Sequence, residues 1–331
     1  MKFILDKALF TTQNKVNLQS LLYNALRNRA YIEFDIDDED ILAWISVNDL
    51  EQWTIAHDTF ISDEANYQLN NYVYVRDGLI SSDWNSAIPN ITLDDACDLI
   101  TCPLQIWVEN SRNDGDFFRL FLSPTSRQHL DTLIELGRVK FESKGGIGEM
   151  KAVLTQNPTE LGFKNKRFIV YDSDAPVPNA LQPDAIVIKN TCNAHGIKHH
   201  AWSRRSIENY LPVQYLIDQI HINVRPTSSD VKKYNAFLSM STDQQHHFHM
   251  KKGMYDSTCF DSPLFQSNQV YQTLNIEDLW EGFSGRFANK FLQKINHSDA
   301  TDIRSLMQAN DSNNELSSVE QALFQYIRVP V

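Results

Sequence analysis

The stretches LQIWVENSRND (Leu104–Asp114), VKFESKGGIG (Val139–Gly148) and RFIVYDSD (Arg167–Asp174) decide the fold. Each opens on a short run rich in apolar and β-branched residues and closes on a polar or glycine-bearing turn, the pattern of a strand that ends in a loop. Between and around them, Asp116–Leu122, Ser126–Leu136 and Ile147–Leu154 read as amphipathic helices. Strands separated by helices cannot pair through tight hairpins, so the spacing predicts a parallel α/β sheet. Further strands are expected at Ala185–Ile188 and Ile197–Trp202, and a short helix at Ser206–Asn209.

In an open parallel sheet the residues that do chemistry gather beyond the carboxyl ends of the strands. Glu109 follows the first strand, Lys144-Gly145-Gly146 the second, and Asp172-Ser173-Asp174 the third. Three strands thus deliver carboxylates and a glycine turn to one edge. Carboxylates on rigid elements suit Mg²⁺ or Mn²⁺, which take oxygen ligands and keep positions open for phosphates. A metal held there would polarise a phosphodiester and acidify an attacking water. Glu109 would act as a further ligand or, with its pKa raised by its neighbours, as a general acid/base. SKGGIGEM lacks the Gly-Lys-Ser/Thr of a nucleotide P-loop and carries Glu149 instead, so its glycines are read as letting the backbone approach a phosphate or the metal.

Working outward, the chain has 331 residues with 42% hydrophobic and 22% charged, an ordinary globular balance. No apolar run approaches a membrane span, and Lys2, Asp6 and Lys7 interrupt the start where a signal peptide would be apolar, so the expected location is the cytoplasm, with no membrane partner. Cys97, Cys102, Cys192 and Cys259 form no closely spaced pair and read as free thiols. The formal net charge is −12, yet it is unevenly spread. Residues 1–100 carry 6 basic and 17 acidic residues, leaving the remainder nearly neutral. Basic residues cluster within 101–260, so an anionic chain can still present a basic face. Arg204 and Arg205 are candidates for phosphate contact. The histidines His195, His199, His200, His246, His247 and His249 read as hydrogen-bonded or surface residues, since adjacent His199 and His200 point to opposite sides of a strand and make poor zinc ligands.

Three regions follow: an acidic N-terminal α+β region (1–100), the α/β domain (101–260) and a helical C-terminal region (261–331). The first has a strand at Lys2–Leu5, a helix at Val16–Leu26 and the acidic run Glu33–Asp40, read as a solvated strand end and turn. Sharper readings make it a nucleic-acid mimic that shields a basic site or a docking surface for a basic partner, and a further one makes the acidic segment an intramolecular lid on the basic face. A capped helix at Thr92–Ile100 precedes the α/β domain. In the third, Ile276–Ile295 and Asp302–Arg328 read as helices with apolar stripes that belong to a core.

The order of Glu after one strand, Gly-Gly after the next and Asp-x-Asp after the third resembles the Toprim domain of topoisomerases, bacterial primases and OLD-type nucleases. IKHHAWSRRSIENYLP (Ile197–Pro212) and FHMKKGM (Phe248–Met254) are similar to the OLD-like branch and to stand-alone Toprim nucleases of phage-defence systems. The resemblance covers about 104–254. It implies a Toprim-like parallel sheet flanked by helices and a metal-dependent nuclease acting on DNA or RNA, in anti-phage defence. By position it implies Glu109, Asp114, Asp172 and Asp174 as Mg²⁺ or Mn²⁺ ligands, with Glu109 and Glu208 catalytic. Lys251 or Lys252 would steady the phosphate at the transition state, and Lys144, Gly145, Gly146, Arg204 and Arg205 would contact nucleic acid. Asn110 stands where the family usually has glycine. The ATPase portion of full-length OLD proteins has no counterpart here, so ATP control would come from a separate ATPase or sensor partner, and a homo-oligomer is compatible with the sequence. The alternative is a catalytically silent Toprim-fold scaffold subunit of such a complex.

Overall fold

A computed structural model of the chain describes residues 1–66, 69–156, 164–212, 229–255, 277–280, 282–283 and 300–327. The chain builds two four-stranded sheets, each wholly parallel. The first holds β1 (Lys2–Leu5), β2 (Tyr31–Glu33), β3 (Tyr72–Val75) and β4 (Asn90–Ile91), in the order β2-β1-β3-β4. Its helices are α1 (Lys15–Leu26), α2 (Glu39–Ser46), α3 (Leu50–Asn66) and α4 (Leu93–Thr101).

The N-terminal region is therefore parallel α/β rather than the α+β expected. Sequence patterning misses this because all four of its strands are only two to four residues long. Of the acidic run, Glu33 ends β2 and Asp35–Asp38 form the expected turn, while Glu39 and Asp40 begin α2. Asp38 caps it by accepting from the Asp40 and Ile41 amides, and Glu39 and Asp40 occupy its first turn, where the helix dipole favours negative charge. Lys7 lies 2.9 Å from Asp38 and 2.7 Å from Asp40.

The second sheet repeats the same strand order. It holds β5 (Leu104–Val108), β6 (Val139–Ser143), β7 (Arg167–Tyr171) and β8 (Lys198–Ala201), ordered β6-β5-β7-β8. Its crossovers carry α5 (Ser111–Phe121) and α6 (Pro124–Glu135), then α7 (Ile147–Gln156), then α8 (Pro183–His195). The stretch Ala185–Ile188, expected as a strand, lies inside α8. Its branched residues mimic a strand over four positions, but Pro183 starts a helix and Gly196 ends it with φ at +63°. Ala185, Ile188 and Cys192 then share one buried face at helical spacing. Ser206–Asn209 appears as a 3₁₀ turn over Ile207–Tyr210.

The chain continues through α9 (Ser229–Leu238), α10 (Thr242–His247), α11 (Ala300–Ala309) and α12 (Glu315–Ile327). The expected helix at Ile276–Ile295 falls almost wholly outside the described residues. The stretch Asp302–Arg328, expected to be helical, holds two helices, α11 and α12, parted by a turn in which Asn314 takes φ +54°. Ile303, Met307, Leu316, Val319 and Leu323 pack into one core with Phe117, Phe121 and Trp202, so these C-terminal helices complete the second α/β unit. Trp202 meets Phe117, Phe118, Phe121 and Tyr210 at ring-centroid distances of 5.2 to 6.2 Å. Among the described residues no helix is long and apolar enough to cross a membrane.

The two sheets meet at their amino ends. Asn71, just before β3, donates to the Asn165 carbonyl just before β7 (2.8 Å) and accepts from the Asn165 side chain (2.9 Å). Arg138, just before β6, donates to the Arg27 carbonyl (2.8 Å), and Lys164 to that of Ser86 (2.6 Å). The carboxyl ends of the sheets therefore point away from each other. The acidic turn after β2 lies at the end of its sheet turned from this junction.

Leu323→Ala, which empties a fully buried position in α12, is expected to destabilise the protein by about 2–5 kcal/mol in chemical denaturation. A loss below about 1 kcal/mol would show that α12 does not share the core of the second sheet.

Candidate functional site

The carboxyl ends of β5 and β7 form the middle of the second sheet, and the carboxylates expected from sequence meet there. Glu109 directly follows β5 and accepts a hydrogen bond from the Asp172 amide (3.0 Å) just after β7. Asp172 accepts from the Ile207 amide (3.1 Å), which brings the 3₁₀ turn carrying Glu208 to the same place. Asp114, one turn into α5, accepts from the Asn110 amide (3.0 Å). Asp174 joins through a turn rather than by strand alternation. Strand β7 ends at Tyr171, Asp174 takes φ +48°, a region that aspartate tolerates, and its amide donates to the Arg205 carbonyl (2.9 Å).

Burial and mutual repulsion act on the carboxylates brought together there. Burial first, and then the charges of Asp174 and Asp114, raise Glu109 to about 7 despite the Asp172 amide. Asp114 rises to about 6 through burial, with Glu208 adding. Asp172 is driven well above the carboxylate range by burial and by Glu109, Glu208, Asp114 and Asp174 together. Glu208 is the exception. Burial would raise it, but the charge and hydrogen bond of Lys251, its ammonium 2.9 Å from Oε1, act with a hydrogen bond from Ser206 to hold it low.

Lys251 faces the cluster, while burial alone would lower its pKa and the surrounding carboxylates raise it instead. Lys252 is exposed, and its amide donates to His249 Nδ1 (3.4 Å). Of the two lysines expected, the structure brings only the first among the carboxylates. Gly282 supports its backbone so closely that a Cβ there would lie 2.4 Å from the Lys251 carbonyl carbon.

The glycine turn lies beside Glu109, whose carbonyl accepts from Ser143 Oγ (2.8 Å). Gly145 and Gly146 take φ of +78° and +112°, which side-chain-bearing residues rarely adopt. Lys144 sits with Nζ 4.0 Å from the Trp107 ring centroid and 3.8 Å from Glu142, an ion pair of its own. Arg204 and Arg205 are buried, at 6% and 3% exposure. The Arg204 guanidinium donates to the carbonyls of Asn209 (2.7 Å) and Asn310 (2.6 Å) and lies over Tyr210. Arg204 is therefore part of the frame behind the site, not a surface for nucleic acid as expected. Asn110 needs no glycine geometry: its φ is −134°, and its side chain caps α5 by accepting from the Arg112 and Asn113 amides.

Two framing residues escape a reading by chemistry. Asn209 donates to the carbonyls of Gln245 (2.8 Å) and Phe248 (3.0 Å) and accepts from Ser206, tying the Glu208 turn to the segment that carries Lys251. Its spacing from Ser206 is that of a capping box, a signal the sequence does contain. Glu315, at the start of α12, accepts from His200 Nε2 (2.8 Å), the Ser203 amide (2.7 Å), Ser203 Oγ and Tyr210 Oη. Nothing near it in sequence announces that role.

Among the described residues, no three His, Cys, Asp or Glu side chains lie close enough together to hold a metal ion as placed. The donor set nevertheless suits a hard divalent cation, since it is all oxygen and Glu208 Oε2 is buried without a hydrogen-bond partner among the described residues. Comparison with protein-family models, curated proteins and solved structures finds no match to this chain.

Carboxyls raised in the folded state bind more protons than in the unfolded chain, where Glu titrates near ~4.3. Stability contributed by protonated Glu109 is thus full below about pH 4.3 and is lost as the pH rises towards its folded value of about 7. In EDTA, Glu109→Gln, which keeps an acceptor for the Asp172 amide, is expected to match wild type at pH 5 to within about 1 kcal/mol. At pH 8 it should be more stable by about 1–3 kcal/mol in denaturant titrations. Equal differences at both pH values would mean that Glu109 is not crowded.

Proposed function

We propose that this chain is a divalent-metal-dependent phosphodiesterase that cleaves DNA or RNA, with its active site at the carboxyl ends of β5 and β7. The observation that carries the reading is the gathering of Glu109, Asp114, Asp172 and Glu208 beside the Lys251 ammonium, with Asp174 next to Glu109 and Asp172. Carboxylates gathered at the ends of parallel strands suit a cation, and perturbed pKa values in such a cluster mark candidate functional sites. The resemblance to Toprim and OLD-like nucleases points the same way, and it alone motivates a role in phage defence with a separate ATPase or sensor.

Glu109, Asp172 and Asp174 are the residues that would hold Mg²⁺ or Mn²⁺. Such a cation supplies charge neutralisation at the phosphate and an acidified water. The remaining chemistry belongs to the chain. Lys251, half exposed while Glu208 is buried, presents an ammonium suited to a phosphoryl oxygen, and Glu208 fixes its direction. Glu109, titrating near neutral pH, is suited to hold or release a proton. Asp114 stiffens the turn between β5 and α5 by binding the Asn110 amide.

Purified protein supplied with Mn²⁺ or Mg²⁺ is expected to cut plasmid, single-stranded DNA or transfer RNA. Asp172→Ala and Lys251→Met should each lower the cleavage rate by about 10²-fold or more, and EDTA should abolish cutting. Saturating Mn²⁺ should also raise the melting temperature of wild type by about 5 °C at pH 8, and of Asp172→Ala much less. A Mn²⁺ shift without cutting of any substrate would place the missing element in a partner. Neither shift nor cutting would favour a silent scaffold.

A further inference from the structure

Helix α12 runs beside β8, the edge strand of the second sheet, and the two border a cleft of about 280 Å³ that Phe168 of β7 and Asn70 and Asn71 of the first unit also line. That volume is near the lower end of ordinary small-molecule sites, ~300–1,000 Å³, and suits one small molecule rather than a polymer. The helix lines it with Ser318, Val319, Ala322, Gln325 and Tyr326, one side of α12 at helical spacing. The strand lines it with Lys198 and His200, whose side chains share a face of the sheet, and with His199. The Trp202 amide donates to the Tyr171 carbonyl, and counting back along the parallel ladder from that bond turns the His199 amide and carbonyl to the open edge. The His199 ring itself stacks on Tyr171, with centroids 6.3 Å apart, on the other face.

Helix and strand run in opposite directions. Glu315, at the start of α12, accepts from the Ser203 amide beyond the end of β8, whereas the Tyr326 hydroxyl, near the end of α12, meets the Arg167 amide and the Lys164 carbonyl at the start of β7. The polar groups of the cleft are thereby sorted into two ends. Lys198, Asn70 and Gln325, all exposed, lie towards the amino ends of the strands, His200 and Ser318 lie towards the other end, and Phe168, Val319 and Ala322 come between. Asn71 serves as wall, because its amide is committed to the Asn165 and Tyr326 carbonyls. Among the described residues that line the cleft there is no aspartate or glutamate. An ammonium beside two carboxamides favours an anion with several acceptor oxygens, the apolar middle favours an uncharged body, and imidazole with hydroxyl favours a hydrogen-bonding edge. We propose that this cleft binds a nucleoside monophosphate, with its phosphate at Lys198, Asn70 and Gln325 and its base towards His200 and Ser318. His200 also joins the cleft to the frame of the carboxylate site. Its Nε2 lies 2.8 Å from Glu315 Oε1, and Glu315 accepts from the Ser203 amide and from the hydroxyl of Tyr210, the last residue of the turn that carries Glu208. A ligand that holds His200 therefore bears on that turn. Binding there needs no nuclease chemistry, since none of the clustered carboxylates lines the cleft.

Isothermal titration calorimetry of the full chain in EDTA tests this, with AMP and CMP as probes and with inorganic phosphate and adenosine as partial ligands. At least one nucleotide is expected to bind saturably at a single site per chain, about tenfold or more tightly than phosphate or adenosine. Lys198→Met should weaken that binding about tenfold or more, the size of a lost charge-assisted hydrogen bond. Ala322→Trp, which sets an indole into the cleft from an exposed position, should abolish it, while Asp172→Ala should bind as wild type. The proposal falls if neither nucleotide binds, if inorganic phosphate binds as tightly as they do, or if either Lys198→Met or Ala322→Trp binds as wild type does. It also falls if Asp172→Ala loses the binding, since the nucleotide would then sit at the carboxylates.

Discussion

Repulsion among buried carboxylates is the constraint that the second half of this molecule is arranged to withstand. Glu109, Asp114 and Asp172 all titrate above the ordinary range because each is desolvated near the others. Such a cluster persists only if the surrounding fold over-determines it. The backbone supplies an amide to each of the three, from Asp172, Asn110 and Ile207 respectively. Lys251 supplies the positive charge within it, and Glu208 is the carboxylate that charge keeps ionised.

The supports of this cluster come from far along the chain. Asn209 closes the Glu208 turn onto the Lys251 segment, and Gly282 allows another stretch of backbone to press against that segment. Behind them, Arg204 and Glu315 spend buried charge on carbonyls, hydroxyls and an imidazole. Helix α12 thus serves two ends at once: its apolar face completes the core, and its first residue pins the loop after β8. A site whose parts are separated by some 200 residues of sequence is stiff because those parts share hydrogen-bonded neighbours.

The two α/β units share a strand order yet differ in what they concentrate. In the first, acids are spread over helix starts, where amides and the helix dipole neutralise them, as Asp38 and Asp95 do. In the second, acids are gathered at the sheet edge. Joining the sheets by their amino ends leaves both carboxyl ends open and confines the basic residues Arg29, Arg138 and Lys166 to the seam.

How much of this was legible in the sequence varies with the range of the interaction. Strands β5, β6 and β7 were readable because each is a short apolar run closed by a turn, and their spacing by helices implied parallel pairing. That placed Glu109, Asp172 and the glycine turn on one edge, since the carboxyl ends of parallel strands point the same way. Asn110 and Thr92 were open to a local reading because a cap acts within three residues. The branched run Ala185–Ile188 misled, because its four residues satisfy strand and helix equally until Pro183 and Gly196 are weighed. Tertiary structure alone chose Lys251 over Lys252, turned Arg204 inward, made the N-terminal region a parallel sheet and set Glu315 beneath the site. Sequence determined which residues end which strands; which of them face one another, and which charges are spent on the frame, depended on packing between segments whose separation no local pattern records.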